Sequence, residues 1–341
     1  MLRLILIGNG FDLAHGLKTK YEDFIYDLID LQITDPHLSP TIFTSTHELK
    51  GHKDFFSVLK DPSGVKTGHF RPSNYITFQN KFFELVISNY SSKNWCDIEE
   101  LYFQELLKCE YVSRIERLNQ DFEIIKNHLG VYLKKATQIL KTTTIDPIYY
   151  LLKRFSNFIP GDTLILNFNY TNTLGSYLSQ IPNIDLINIH GEIDNPENPI
   201  IFGFAAEEDI ITSLLEKGSH EWLRNIKDNC YKESDNFDKL EKFLNSGQYI
   251  DVFILGHSCG YSDNLILRQI FNGPKVHKVR LFYYQSIENF RKSLYNIQRI
   301  MKDYSQFRKI VNFKESIHIP QADDNETLNR NFEDFVDKVL Q

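Results

Sequence analysis

The sequence predicts an α/β fold: a Rossmann-like, mostly parallel sheet with a large helical insertion after the first strand–helix unit. Three observations predict it. Short apolar, β-branched runs recur at residues 2–7, 163–168, 186–189, 200–204, 249–255 and 276–284. Several of them end in glycine or small polar residues, as buried strands do where backbone opens onto a ligand. Segments with helical spacing alternate with these runs, which is the pattern of a parallel sheet.

The elements follow in order. Residues 2–7 are too short and too uniformly apolar for a helix and read as a buried strand. Residues 21–31 place apolar side chains at 21, 24, 25, 28 and 29, one face of a helix. Residues 32–160 carry almost no strand signal. Their helical spacing at 74–90, 97–107 and 113–142 predicts the helical insertion, and 33–71 read as loop-rich. The aromatic stripe Tyr75, Phe78, Phe82 and Phe83 reads as core of that insertion. Residues 206–247 are helical and charge-rich, a smaller insertion. Residues 264–271, 286–301 and 326–340 read as helices. The expected organisation is therefore a nucleotide-binding core of 1–31 and 161–341, interrupted by 206–247, with 32–160 inserted.

Bulk properties narrow the function. The chain has 341 residues and a formal charge of -7, with a pI near 5.9. No basic run suggests a nucleic-acid face, so nucleic acid is not an expected partner. No stretch approaches the ~18 apolar residues of a membrane span, so no membrane is expected and a cytoplasmic location is. Cys96, Cys109, Cys230 and Cys259 form no C-x-x-C pair, which argues against a structural zinc site or a disulfide framework.

Four strand ends carry the chemistry. The first is Gly8-Asn9-Gly10-Phe11-Asp12 with His15 behind it. Glycines after a strand let backbone N–H groups face a phosphate. A tight turn is the structural alternative, and G-x-G-x-x-G is not matched because position 13 is Leu. The second is Asn167-Phe168-Asn169-Tyr170-Thr171-Asn172, where Thr171 or Asn172 can cap the next helix without engaging Asn169. The third is His190-Gly191, an imidazole at the sheet edge with room beside it, suited to a general base. The fourth is Gly256-His257-Ser258-Cys259-Gly260, followed by Asp263, a ligand residue or a plain N-cap. Its G-x-S-x-G spacing resembles a nucleophile elbow, but neither His277 nor His318 sits in a loop suited to complete a triad. Asp97 and Glu100 read as a capping pair that leaves Glu99 without a local role.

Together these motifs resemble the bacterial abortive-infection AbiH family. The matching stretches are 7–17, 95–99, 168–171, His190-Gly191, and 255–258 with Asp263, in order along nearly the whole chain. The resemblance implies phage defence. A more distant resemblance is to the sirtuin-like NAD-binding fold, through Gly8, Gly10, Asn169 and His190. It implies NAD as substrate or ligand and catalytic roles for Asn169 and His190 on its ribose. Gly8, Asn9, Gly10, Asp12, His15, Thr171, Gly256, Ser258 and Asp263 would then bind it. The chain departs from sirtuins in having Thr171 after Asn-Tyr, Asp12 in place of serine, and no zinc module.

The implied reaction is NAD hydrolysis that starves the infected cell. The alternatives are a nucleotide-binding sensor that recruits a partner, and a metal-dependent hydrolase or nuclease using Asp12, His15, Glu99 and His190. A nucleotide ligand, self-assembly into a homo-oligomer, and a phage-derived trigger or partner defence protein complete the expected partners.

Overall fold

In the computed structural model, the described residues are 1–35, 37–39, 41–59, 75–90, 95–138, 144–156, 159–301, 303–310 and 313–340. Among the described residues eight strands are present: β1 (Leu2–Ile7), β2 (Phe43–Ser45), β3 (Ile76–Phe78), β4 (Thr163–Asn167), β5 (Asp185–Asn188), β6 (Ile250–Leu255), β7 (Val276–Tyr283) and β8 (Ile317–His318). The main sheet has six strands in the order β5-β4-β1-β6-β7-β8. Every pairing in it is parallel. Numbered along the sheet this is 3-2-1-4-5-6, the order of dinucleotide-binding folds. The order reverses between β1 and β6. There the chain leaves β1 for β4 on one side and returns after β5 to β6 on the other, the switch point at which open sheets of this kind place ligands.

Alternation along each strand builds the layers. Leu2, Leu4 and Leu6 face one side with Leu164, Leu166, Val252 and Ile254. Helices Asn264–Phe271 and Ile287–Met301 cover them. Ile5 and Ile7 face the other with Ile165, Phe253 and Leu255, under helices Asp146–Ser156 and Glu326–Val339. A period of two along a strand sends neighbours to opposite faces, so both faces of β1 are buried and its run is apolar except at Arg3.

The chain divides into two compact units. The first takes residues 1–19, 133–211 and 226–341, and the second takes 20–132 and 212–225. Residues 133–160, expected in the insertion, fall in the first because Ile148, Leu151, Leu152 and Phe155 pack under β1 and β4. Helix Tyr21–Thr34, expected in the core, belongs to the second. That second unit is mostly helical, with Lys81–Ser88, Trp95–Leu107 and most of Val112–Gln138. Phe78, Phe82 and Phe83 are buried within it, while Tyr75 is exposed.

Two further sequence expectations change. Residues 74–90 do not form one helix. β3 precedes helix Lys81–Ser88 and pairs antiparallel with β2, with Phe78 opposite Phe43. Residues 200–204 form no strand. Ile201, Phe202 and Phe204 are buried, but the stretch makes a single parallel bridge, from Phe204 to Ile226. Its apolar run records burial, not a ladder. β8, with only two residues, had no run to announce it. Among the described residues no helix is long and apolar enough to cross a membrane.

Candidate functional site

The carboxyl ends of β1, β4, β5 and β6 converge in the first unit. Ile7 lies opposite Asn167 on one side and Leu255 on the other, so the three loops that follow start level. The β1 turn and the β6 turn are in contact. Gly10 N–H donates to Gly256 O at 2.8 Å. A Cβ on Gly10 would sit 2.6 Å from that oxygen, and Gly256 (φ +66) would place one 2.6 Å from Phe11 N. A Cβ on Gly8 would sit 2.6 Å from the His257 backbone. The sequence predicts that these N–H groups face a phosphate. In the structure Gly8 N–H goes to Leu255 O, Gly10 N–H to Gly256 O and Phe11 N–H to Gly8 O. The glycines here are small so that two loops can close on each other.

Beneath this contact lies a charged cluster. Asp263 Oδ1 is 2.7 Å from Lys227 Nζ and 3.1 Å from His190 Nε2, and Asp263 Oδ2 is 3.6 Å from His257 Nε2. All four are buried, Lys227 completely. Burial works against the Asp263 charge, but Lys227 and then His190 hold its carboxyl far below the usual carboxylate range. Burial pushes His257 down to about 4 against the pull of Asp263. His257 Nδ1 accepts the Cys259 N–H at 2.9 Å, so the proton of the neutral ring lies on Nε2, toward Asp263. Cys259 holds φ at +54 to make that contact. His190 Nε2 is close to Asp263 but off-line for a hydrogen bond. Its ring lies between Tyr170 and Tyr231, stacked at 28° and 9°, with Phe168 edge-on at 5.1 Å.

A second polar group stands beside Gly8. Asp12 Oδ2 accepts the Thr171 hydroxyl at 2.6 Å, and Thr171 shares a 3.2 Å contact with Thr173. Asp12 Oδ1 is buried with no hydrogen-bond partner. Burial raises Asp12 to about 6, with Thr171, Thr173 and Asn169 opposing. Asn169 Nδ2 donates to Gly8 O at 3.1 Å, tying the β4 end to the β1 turn.

The other expected residues have separate partners. Asn9 Nδ2 donates to Thr19 O at 2.9 Å and its Oδ1 accepts the Thr19 hydroxyl. His15 Nδ1 donates to Phe11 O at 2.7 Å, and its Nε2 accepts from Tyr177 Oη at 2.6 Å. Both nitrogens of His15 are thus engaged inside the core. Ser258 is exposed, and its carbonyl accepts from Asn296 at 2.9 Å. Asp263 precedes helix Asn264–Phe271 but makes no side-chain cap. Its carboxylate serves the cluster instead. Glu99 is buried in the second unit, and the Asp97 side chain lies outside the described residues. Among the described residues no group of three or more His, Cys, Asp or Glu is arranged to hold a metal.

Neither Lys227 nor the role of His257 follows from the motifs of the sequence. His257 was visible inside its motif, next to a strand-end glycine. Lys227 had no local signal, being one lysine in a charged helical stretch.

No curated protein matches the chain. The family model for bacteriophage abortive infection AbiH matches residues 4–285, from β1 through the His190–Asp263 cluster to the end of β7. The match begins with the strand that carries the glycine turn and covers the four loops that meet there, and the chain belongs to the AbiH family of bacteriophage abortive infection proteins, which supports a role in phage defence.

Proposed function

We propose that this site binds NAD and hydrolyses its nicotinamide–ribose bond, depleting an infected cell of cofactor. One observation carries the reading. A buried anion, Asp263, and two imidazoles, His190 and His257, sit at the switch point of a 3-2-1-4-5-6 sheet, where such folds take nucleotides. Burying an ion pair seldom adds net stability, and buried titratable clusters concentrate at functional sites.

In the reaction, a water oxygen bonds to the ribose C1′ and the C–N bond breaks. Nicotinamide leaves with the bonding electron pair. His190 takes the water proton and returns it to solvent, a contribution of roughly 10²–10⁴-fold. Asn169, fixed through its amide to Gly8 O, orients the ribose or the water. Asp12 Oδ1, an acceptor with no partner, suits a ribose hydroxyl. Gly8, Gly10 and Gly256 keep the two loops close and donate nothing to the pyrophosphate from the N–H groups of Gly8 and Gly10.

Incubating purified protein with NAD and separating the products by chromatography tests this. Nicotinamide and ADP-ribose should appear in equal amounts, and His190→Ala should slow their release at least ~10²-fold. A protein that neither binds nor cleaves NAD, together with a His190→Ala strain that restricts phage as well as its parent, would overturn it. The second reading is a nucleotide sensor without catalysis. It is favoured by the sealing of the cluster, with His190 5% and Asp263 8% exposed. It expects NAD or ADP-ribose to bind in calorimetry with no nicotinamide released.

A further inference from the structure

We infer that Lys227 is a positioning residue of this site: it supplies the counter-charge to Asp263 so that neither His190 nor His257 has to. The inference rests on the reading of the cluster as a functional site, but its test does not depend on the substrate. Lys227 Nζ lies 2.7 Å from Asp263 Oδ1, with no solvent exposure of the lysine. It opens the short helix Lys227–Cys230. Its backbone is held as well: Lys227 N–H donates to Phe204 O at 3.1 Å, beside the parallel bridge between Phe204 and Ile226. The lysine is fixed at both ends.

The charge balance gives the reason. Asp263 faces Lys227 from that helix, His190 from the end of β5, and His257 and the buried Cys259 thiol from the β6 turn. Of these only Lys227 carries a full charge without taking up a proton near neutrality. A carboxylate buried without a cation costs several kcal/mol and recruits a proton wherever a base stands close. His190 and His257 are the two bases within reach, at 3.1 and 3.6 Å. With Lys227 in place the His257 ring can stay neutral beside an anion. A general base must be unprotonated to work, so a cation that answers Asp263 serves the role proposed for His190.

The test is to follow the histidine ring signals of the full chain by NMR with ¹³C-labelled histidine, across pH 4–9. Lys227→Met should raise the titration midpoint of His257 by about 1–3 pH units, the effect of an uncompensated neighbouring carboxylate. Lys227→Arg, which keeps the charge, should leave the midpoints near the parent's. If Lys227→Met does not fold, the double variant Lys227→Met with Asp263→Asn should recover folding, because both charges leave together. Unchanged midpoints in a folded Lys227→Met protein, or a double variant no better folded than the single, would overturn the inference. Absence of NAD cleavage would overturn the proposed reaction and leave this result standing.

Discussion

Lys227 Nζ and Asp263 Oδ1 meet at 2.7 Å across 36 residues of sequence, inside the first unit and away from solvent. Asp263→Asn would remove the carboxylate that faces a fully buried lysine charge. Breaking such a pair from one side costs about 3–5 kcal/mol. The urea midpoint of Asp263→Asn should fall accordingly, and adding Lys227→Met should restore most of it. Simple additivity of the two losses would count against a direct pair.

The contact between the β1 and β6 turns predicts unequal responses from three glycines. Gly10→Ala puts a Cβ 2.6 Å from the Gly256 carbonyl, and Gly256→Ala combines a 2.6 Å clash with φ at +66. Gly16 has φ at +74 but nothing within 4 Å. Overpacking costs about 1–3 kcal/mol and a left-handed alanine about 1 more. Gly256→Ala should therefore be the most destabilising in thermal melts and Gly16→Ala the mildest. An equal loss at all three would refute the loop contact.

Acid stability should show two opposed contributions. His257, lowered to about 4, binds its proton less readily folded than unfolded. Its stabilisation is full above pH ~6.5 and is lost as pH falls from there toward about 4. Asp12, raised to about 6, binds its proton more readily folded. Its stabilisation is full below pH ~3.9 and is lost as pH rises from there through about 6, a difference of about 3 kcal/mol. Asp12→Asn removes the second contribution alone. Urea midpoints of that variant should drop more steeply than the parent's between pH 6 and 4. Parallel slopes would mean that Asp12 titrates normally.

Tyr177 Oη is a junction of the core. It accepts the Ile145 N–H at 2.7 Å and donates to His15 Nε2 at 2.6 Å. Tyr177→Phe orphans a buried donor and a buried acceptor, each worth about 1–3 kcal/mol. A clear loss in denaturant stability is expected, with the secondary structure intact by circular dichroism. A neutral substitution would show that His15 finds another partner.

Much of the frame was legible because it is local. Residues 2–7 are apolar at every position except Arg3, which only a doubly covered strand requires, and β1 spans those residues. Residues 264–271 carry their apolar groups at helical spacing, and the helix has those bounds. Residues 200–204 misled for a physical reason: an apolar run reports burial, and a ladder also needs a neighbouring strand with free N–H and C=O groups. The glycines were legible as places of close approach, but not what approaches. Spacing after a strand is the same whether a phosphate or another loop fills the space, and here Gly256 fills it.

The sequence by itself determined the α/β class, the strand ends that bear polar residues, and the family to which the chain belongs. Hydrophobic period and turn chemistry act over a few residues and can be read directly. The tertiary structure alone decided that Asp263 meets Lys227, His190 and His257, that His15 is locked by Tyr177, and that Gly10 packs on Gly256. Those pairings depend on which loops close over one another. In a buried site, charge compensation couples residues by distance in space and leaves no period along the chain.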